Sequence, residues 1–127
     1  MAGNLSNYLE DKVLDHILGT TAYTMPSTVY VALYTAAPND TGGGTQVSGG
    51  SYARQTAAFD AASSGATSND SNIDFTGMPA VTTVAIGIFD ALTTGNLLVW
   101  GTLATSKSLD AGDTLRIATG DLDISLD

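Results

Sequence analysis

No cysteine occurs in this chain, which excludes disulfides, zinc–thiolate sites and thiol catalysis together. Histidine is nearly absent too, with His16 alone, and the basic residues are four: Lys12, Arg54, Lys107 and Arg116. Catalysis needs an acid, a base or nucleophile and a charge stabiliser brought together, and this inventory scarcely fills one such site. No enzymatic activity is therefore expected. Thirteen acids against four bases give a net charge of −9. That balance argues against nucleic acid, where a basic stripe must neutralise phosphates, and against anionic lipid. Charged residues make up only 13% of the chain, so Ser, Thr, Asn and Gly must dress the surface. Long apolar runs are missing as well. None approaches the roughly 20 residues of a membrane helix, and Met1-Ala2-Gly3-Asn4 has no basic or apolar signal region. A soluble protein made in a cytoplasm, touching neither membrane nor nucleic acid, is expected.

What is present is apolar patterning. The 127 residues suffice for one domain, 1–127, with 43% hydrophobic residues to build a core. Leu5, Leu9, Val13 and Ile17 recur at i+4, with Tyr8, Leu14 and Leu18 beside them and Glu10, Asp11, Lys12 and Asp15 opposite, which predicts an amphipathic helix over about 5–18. Ser6 or Asn7 can cap it, Asn7 with Glu10 having capping-box spacing, and Gly19 can end it. The period then changes to two. Strands are predicted at 28–35, 52–59, 73–75, 81–89, 97–103, 114–118 and 121–127, separated by turn-forming residues. In the last strand Leu122, Ile124 and Leu126 are expected inward. The stretch 61–72 reads as a long surface loop, or an edge that pairs elsewhere. The sum predicts a mainly β protein, an antiparallel β-sandwich, jelly-roll-like, with one N-terminal α-helix.

Few residues invite a chemical reading. Asp40-Thr41-Gly42 matches the D-T-G of aspartic proteases, but the surrounding Pro38, Asn39, Gly43 and Gly44 mark a flexible turn. His16 in the last helical turn suits a dipole-facing cation or an interface hydrogen bond. Asp121, Asp123 and Asp127 would diverge along a strand rather than converge on calcium, so no metal and no cofactor are expected. Trp100 with Tyr30 and Tyr34 could stack on a sugar, though strand aromatics are usually core. The stronger candidates for partner contact are the helix stripe Leu5, Leu9, Val13 and Ile17, and the 39–50 loop with Asn39, Asp40 and Thr41.

Several segments, in order, carry a resemblance: 7–19 (NYLEDKVLDHILG), 29–38 (VYVALYTAAP), Tyr52-Ala53-Arg54, 86–91 (IGIFDA), 95–101 (GNLLVWG), 112–114 and 120–127 (GDLDISLD). Together they resemble a family of small tailed-bacteriophage virion proteins, often labelled tail-fibre proteins. The resemblance implies a non-enzymatic virion component. Proteins of this size and β-rich character also serve as capsid cement, seated on the outer shell as dimers or trimers. A short, non-repetitive, aromatic-poor chain fits capsid decoration better than a fibrous trimer. The expected partners are then the major capsid protein and copies of itself. The expected location is the outer capsid surface, with a tail or tail-fibre component and a carbohydrate-binding module as alternatives.

Overall fold

The structure is a computed structural model that describes residues 4–126. In chain order the elements are β1 (Asn4–Leu5), α1 (Asn7–Ile17), β2 (Val29–Ala36), β3 (Thr45–Gln46), β4 (Gln55–Ala57), β5 (Ala66–Ser68), β6 (Ile73–Phe75), β7 (Val81–Phe89), β8 (Leu97–Leu109), β9 (Leu115–Ile117) and β10 (Asp123–Ser125). The fold is mainly β, with one helix, as expected. One sheet has the order β1-β8-β7-β2-β3, with β4 also on β2, and two further ladders pair β10 with β5 and β6 with β9. Every pairing is antiparallel.

The period-two pattern of β2 and β7 explains the layering. Val31, Leu33, Ile86 and Ile88 point to one face, where Ile73, Phe75, Met78 and Leu122 close over them. Leu115, Ile117 and Ile124 pack on the rim of the same cluster, so the two short ladders form the second layer of an unequal sandwich. Ala32, Tyr34, Ala85, Phe89 and Leu97 point the other way and form a second buried cluster, flanked by Val84 and Trp100. The central strands are thus apolar on both faces because both faces are covered.

Strand β2 is edged by β3 at one end and β4 at the other, which leaves Leu33 between them. Tyr52 fills that gap. Its hydroxyl accepts the Leu33 N–H at 3.0 Å and the Gln46 Nε2–H at 2.8 Å, while Val47 N–H donates to the Leu33 carbonyl at 2.9 Å. The Tyr52 ring stacks on Phe75 at 6.0 Å, tying the gap to the core. Burial raises the Tyr52 phenol above its ordinary pKa, although the two donors pull the other way.

Several expected boundaries move. The helix begins at Asn7, because Ser6 adopts an extended conformation (ψ 157°) and is its N-cap. Ser6 Oγ accepts the Leu9 N–H at 3.2 Å and donates to the Leu97 carbonyl, and Ser6 N–H donates to the Leu98 carbonyl at 2.8 Å. Leu5 therefore lies in β1, paired with Val99, and not on the helix stripe. Gly19 ends the helix at φ +81°, as expected. The 52–59 strand shrinks to β4, since Tyr52 works through its side chain. The 61–72 stretch holds β5, which pairs with β10. Strand β8 runs on to Leu109 and sets four residues, 103–106, against Val84 alone between the pairs Ala85↔Thr102 and Thr83↔Lys107. Strand β10 stops at Ser125, and Leu126 is exposed rather than inward. Asp127 lies outside the described residues.

Candidate interaction site

Two of the expected contact regions meet. The Asp40 carbonyl accepts the Asn7 N–H at 2.9 Å, so the 39–43 loop is hooked to the first turn of α1. That loop is also bonded within itself. Asn39 and Gly42 exchange backbone hydrogen bonds at 2.7 and 2.9 Å, and Asn39 Oδ1 accepts both the Thr41 N–H (2.9 Å) and the Thr41 hydroxyl (2.7 Å). The loop closes through Gly44, at φ +71°, where a Cβ would stand 2.6 Å from the Ala36 carbonyl oxygen. Beyond it, 45–50 is not simply a display loop: it contains β3, and Val47 is core.

The Asp40 carboxylate takes the Trp100 Nε1–H at 2.9 Å. Trp100 is thus partly buried, its indole packed on the second cluster and its Nε1–H fastened by Asp40. Between the helix start, loop 39–43 and residues 95–97 lies an open groove of about 570 Å³. Its floor is Tyr34, Phe89 and Leu97, and its walls carry Asn7, Tyr8, Asp40, Thr41 and Asn96, with bare backbone at Gly42, Gly43 and Gly95. The Gly95 wall is held from below. Arg54 donates to the carbonyls of Ala91 (2.9 Å) and Thr94 (2.7 Å) and to Gln46 Oε1 (3.1 Å), with its guanidinium 3.6 Å above the Phe89 ring centre. Asp90 grips Asn96 through N–H (2.7 Å) and Nδ2 (2.8 Å). A second cleft, about 370 Å³, lies between the 103–106 bulge and β9, lined mostly by Leu33, Ile86, Leu103, Leu115, Ile117 and Leu122.

The predicted helix stripe is split. Leu5 and Leu9 pack against the core cluster, Val13 is half-buried, and Ile17 is exposed. The apolar surface left open is instead Leu14 (56%), Ile17 (71%) and Leu18 (74%), spaced i, i+3, i+4, with Met25 (78%) in the loop that follows. His16 sits in the last turn, but its Nδ1 accepts the Tyr23 N–H at 3.1 Å and so fastens that loop to the helix. Leu14 and Leu18 border the stripe read from the sequence, but they are not among its expected contact residues, because the i+4 repeat starts from Leu5, which is not helical. Among the described residues no three His, Asp or Glu side chains converge as a metal set. Asp121 and Asp123 are exposed, and Asp74 pairs with Arg116 at 2.7 and 2.9 Å.

The family described as podophage GP4 fiber I protein gp80 matches residues 4–125, nearly the whole chain. The chain belongs to that family. It is a structural protein of a phage virion, in agreement with the resemblance read from its segments. No curated protein matches it. The fiber I match spans both layers of the sandwich, the helix and the groove, so all of these features fall within the family's domain.

Proposed function

We propose that this chain is a subunit of a virion fibre and that it joins its neighbours through the projecting end of α1. The observation that carries this reading is the exposure of Leu14, Ile17, Leu18 and Met25 in one short segment. Full burial of such side chains is worth about 1.5–3 kcal/mol each, so the cluster would supply a sizeable part of a subunit contact. The family's description as a fibre protein supports the same reading. The role is structural, with no reaction catalysed, and the first partner is a second copy of this chain in a dimer or trimer.

Decoration of the outer capsid, with the major capsid protein as partner, is the second reading. The short, non-repetitive two-layer body favours it, because a shaft is built from repeats. Immunogold electron microscopy of intact virions with antibody to this chain separates the two. Gold confined to fibres or the tail is expected. Gold spread over the head would overturn the fibre reading in favour of decoration. A chain carrying Ile17→Asp and Leu18→Asp should fold normally yet fail to enter particles. Normal incorporation would remove the helix from the interface.

A further inference from the structure

The groove beside the helix start contains a group that the fold itself does not use. Tyr34 is 4% exposed, yet its hydroxyl has no hydrogen-bond partner among the described residues, and the side chain lines the groove floor. No buried side-chain polar atom among the described residues lacks a partner, so this hydroxyl meets solvent in the open groove and is free to bond something that enters it. The ring is fixed across Gly87, whose missing Cβ would stand 3.0 Å from Tyr34 Cε2 and 2.8 Å from Leu97 Cδ1. Burial raises the Tyr34 phenol above its ordinary pKa, which keeps the hydroxyl as a neutral donor and acceptor.

The walls define the chemistry of the visitor. One Asp40 oxygen is held by Trp100, which orients the carboxylate and leaves its second oxygen as an acceptor. The Asn96 side-chain amide gives one N–H to Asp90, which leaves its Oδ1 as another acceptor and its second N–H as a donor. Thr41 and Asn7 add polar groups, and the glycines let a ligand approach bare backbone. Between these acceptors the floor offers Phe89, Leu97 and the Tyr34 ring, all apolar. A ligand suited to this lining has several hydroxyl donors at its rim and a C–H face to lay on the floor. An anion would meet Asp40, the only charged side chain of the lining, on a chain of net charge −9. A metal cation would find one carboxylate where it needs several. The volume of about 570 Å³ falls within the usual range of ligand pockets.

We propose that this groove binds a neutral saccharide, with the Tyr34 hydroxyl on its floor and Asp40 and Asn96 on its walls. The site is separate from the helix contact, so either assignment can fail without the other. Its acceptors are pre-oriented by Trp100 and Asp90, which lowers the ordering cost of binding.

The test is a titration of the ¹⁵N-labelled protein with glucose, galactose, mannose, N-acetylglucosamine and rhamnose, followed by amide chemical shifts. At least one sugar should give saturable shifts at Tyr8, Gly42, Gly43 and Gly95. Tyr34→Phe removes only the hydroxyl, and with it no described hydrogen bond of the fold. It should weaken that sugar by about three- to tenfold, the worth of one hydrogen bond. Glucuronate should bind more weakly than glucose. Absence of shifts at the groove with every neutral sugar overturns the proposal. So does binding unchanged in Tyr34→Phe, or glucuronate binding as well as the neutral sugars.

Discussion

Replacing Asn69 by alanine should be among the most damaging single changes in this protein. Asn69 is fully buried, and its side chain makes three hydrogen bonds to three separate places. Nδ2 donates to the carbonyls of Ser71 (2.8 Å) and Ala118 (3.0 Å), and Oδ1 accepts the Leu122 N–H at 2.9 Å. Its own carbonyl takes the Gly120 N–H at 3.0 Å. The amide thus anchors the turn before β10 and places Leu122 in the core. Truncation leaves the Leu122 N–H buried without an acceptor, a cost of about 1–3 kcal/mol, and weakens two carbonyls by about 0.5–1.5 kcal/mol each. The total, about 2–6 kcal/mol, corresponds to a fall in Tm of about 6–30 °C for a domain of this length. Asn72 supplies the control. Its Oδ1 accepts the Thr119 N–H (3.0 Å) in the same turn region but in an exposed position, so Asn72→Ala should cost about 0.5–1 kcal/mol. Urea denaturation of both variants, with hydrogen exchange at the Leu122 amide, measures the difference. Asn69→Asp should be worse still at neutral pH, since a carboxylate would face two carbonyl oxygens. It should recover stability on acidification as that carboxylate takes up a proton. Equal costs for Asn69→Ala and Asn72→Ala would refute the argument that burial gives this amide its weight.

Arg54→Ala should cost about 2–4 kcal/mol, because three charge-assisted hydrogen bonds and a ring contact vanish together. Amide exchange should speed up across 90–96, and Arg54→Lys should not restore protection, since an ammonium cannot reach three acceptors from above a ring. Gly87→Ala should cost about 1–3 kcal/mol by forcing Leu97 and Tyr34 apart, seen as a lower urea midpoint. The Arg116 guanidinium holds the Asp74 carboxyl below its ordinary pKa. The small stability from this exposed pair is therefore present above the ordinary carboxylate range and lost as pH falls through the lowered value. Asp74→Asn should flatten that part of the acid stability profile, and an unchanged profile would show that the pair contributes nothing.

Much of the fold was legible because it is local. Alternation marks Val81–Phe89 to the residue, and the two-sided apolar runs at 29–36 and 97–103 mark the strands that are covered on both faces. What escaped depends on partners distant in sequence. Nothing near Ala66–Ser68 announces β10 as its mate, and nothing near Ala104–Ser106 announces a bulge, since both are set by tertiary register. Ser6 was legible as a cap. Its second bond, to the Leu97 carbonyl, was not, and that bond detaches Leu5 from the helix and rotates the exposed face onto Leu14, Ile17 and Leu18. The groove was partly legible through Asp40 and Thr41. Tyr34, Phe89 and Asn96 come from three other segments and meet only in the folded sheet.

The two clusters divide the work between stability and surface. The face built on Val31, Leu33, Ile86 and Ile88 is closed by the second layer. The opposite face is closed by side chains that reach across it, Arg54 under 90–96 and Trp100 to Asp40. A face covered in this way keeps gaps between its covering groups, and the groove is such a gap. Loops held by glycine geometry and charged or indole hydrogen bonds have little freedom left to lose when something binds. The second face is therefore where recognition would cost least, while the helix end, outside both clusters, is free to serve attachment without disturbing either.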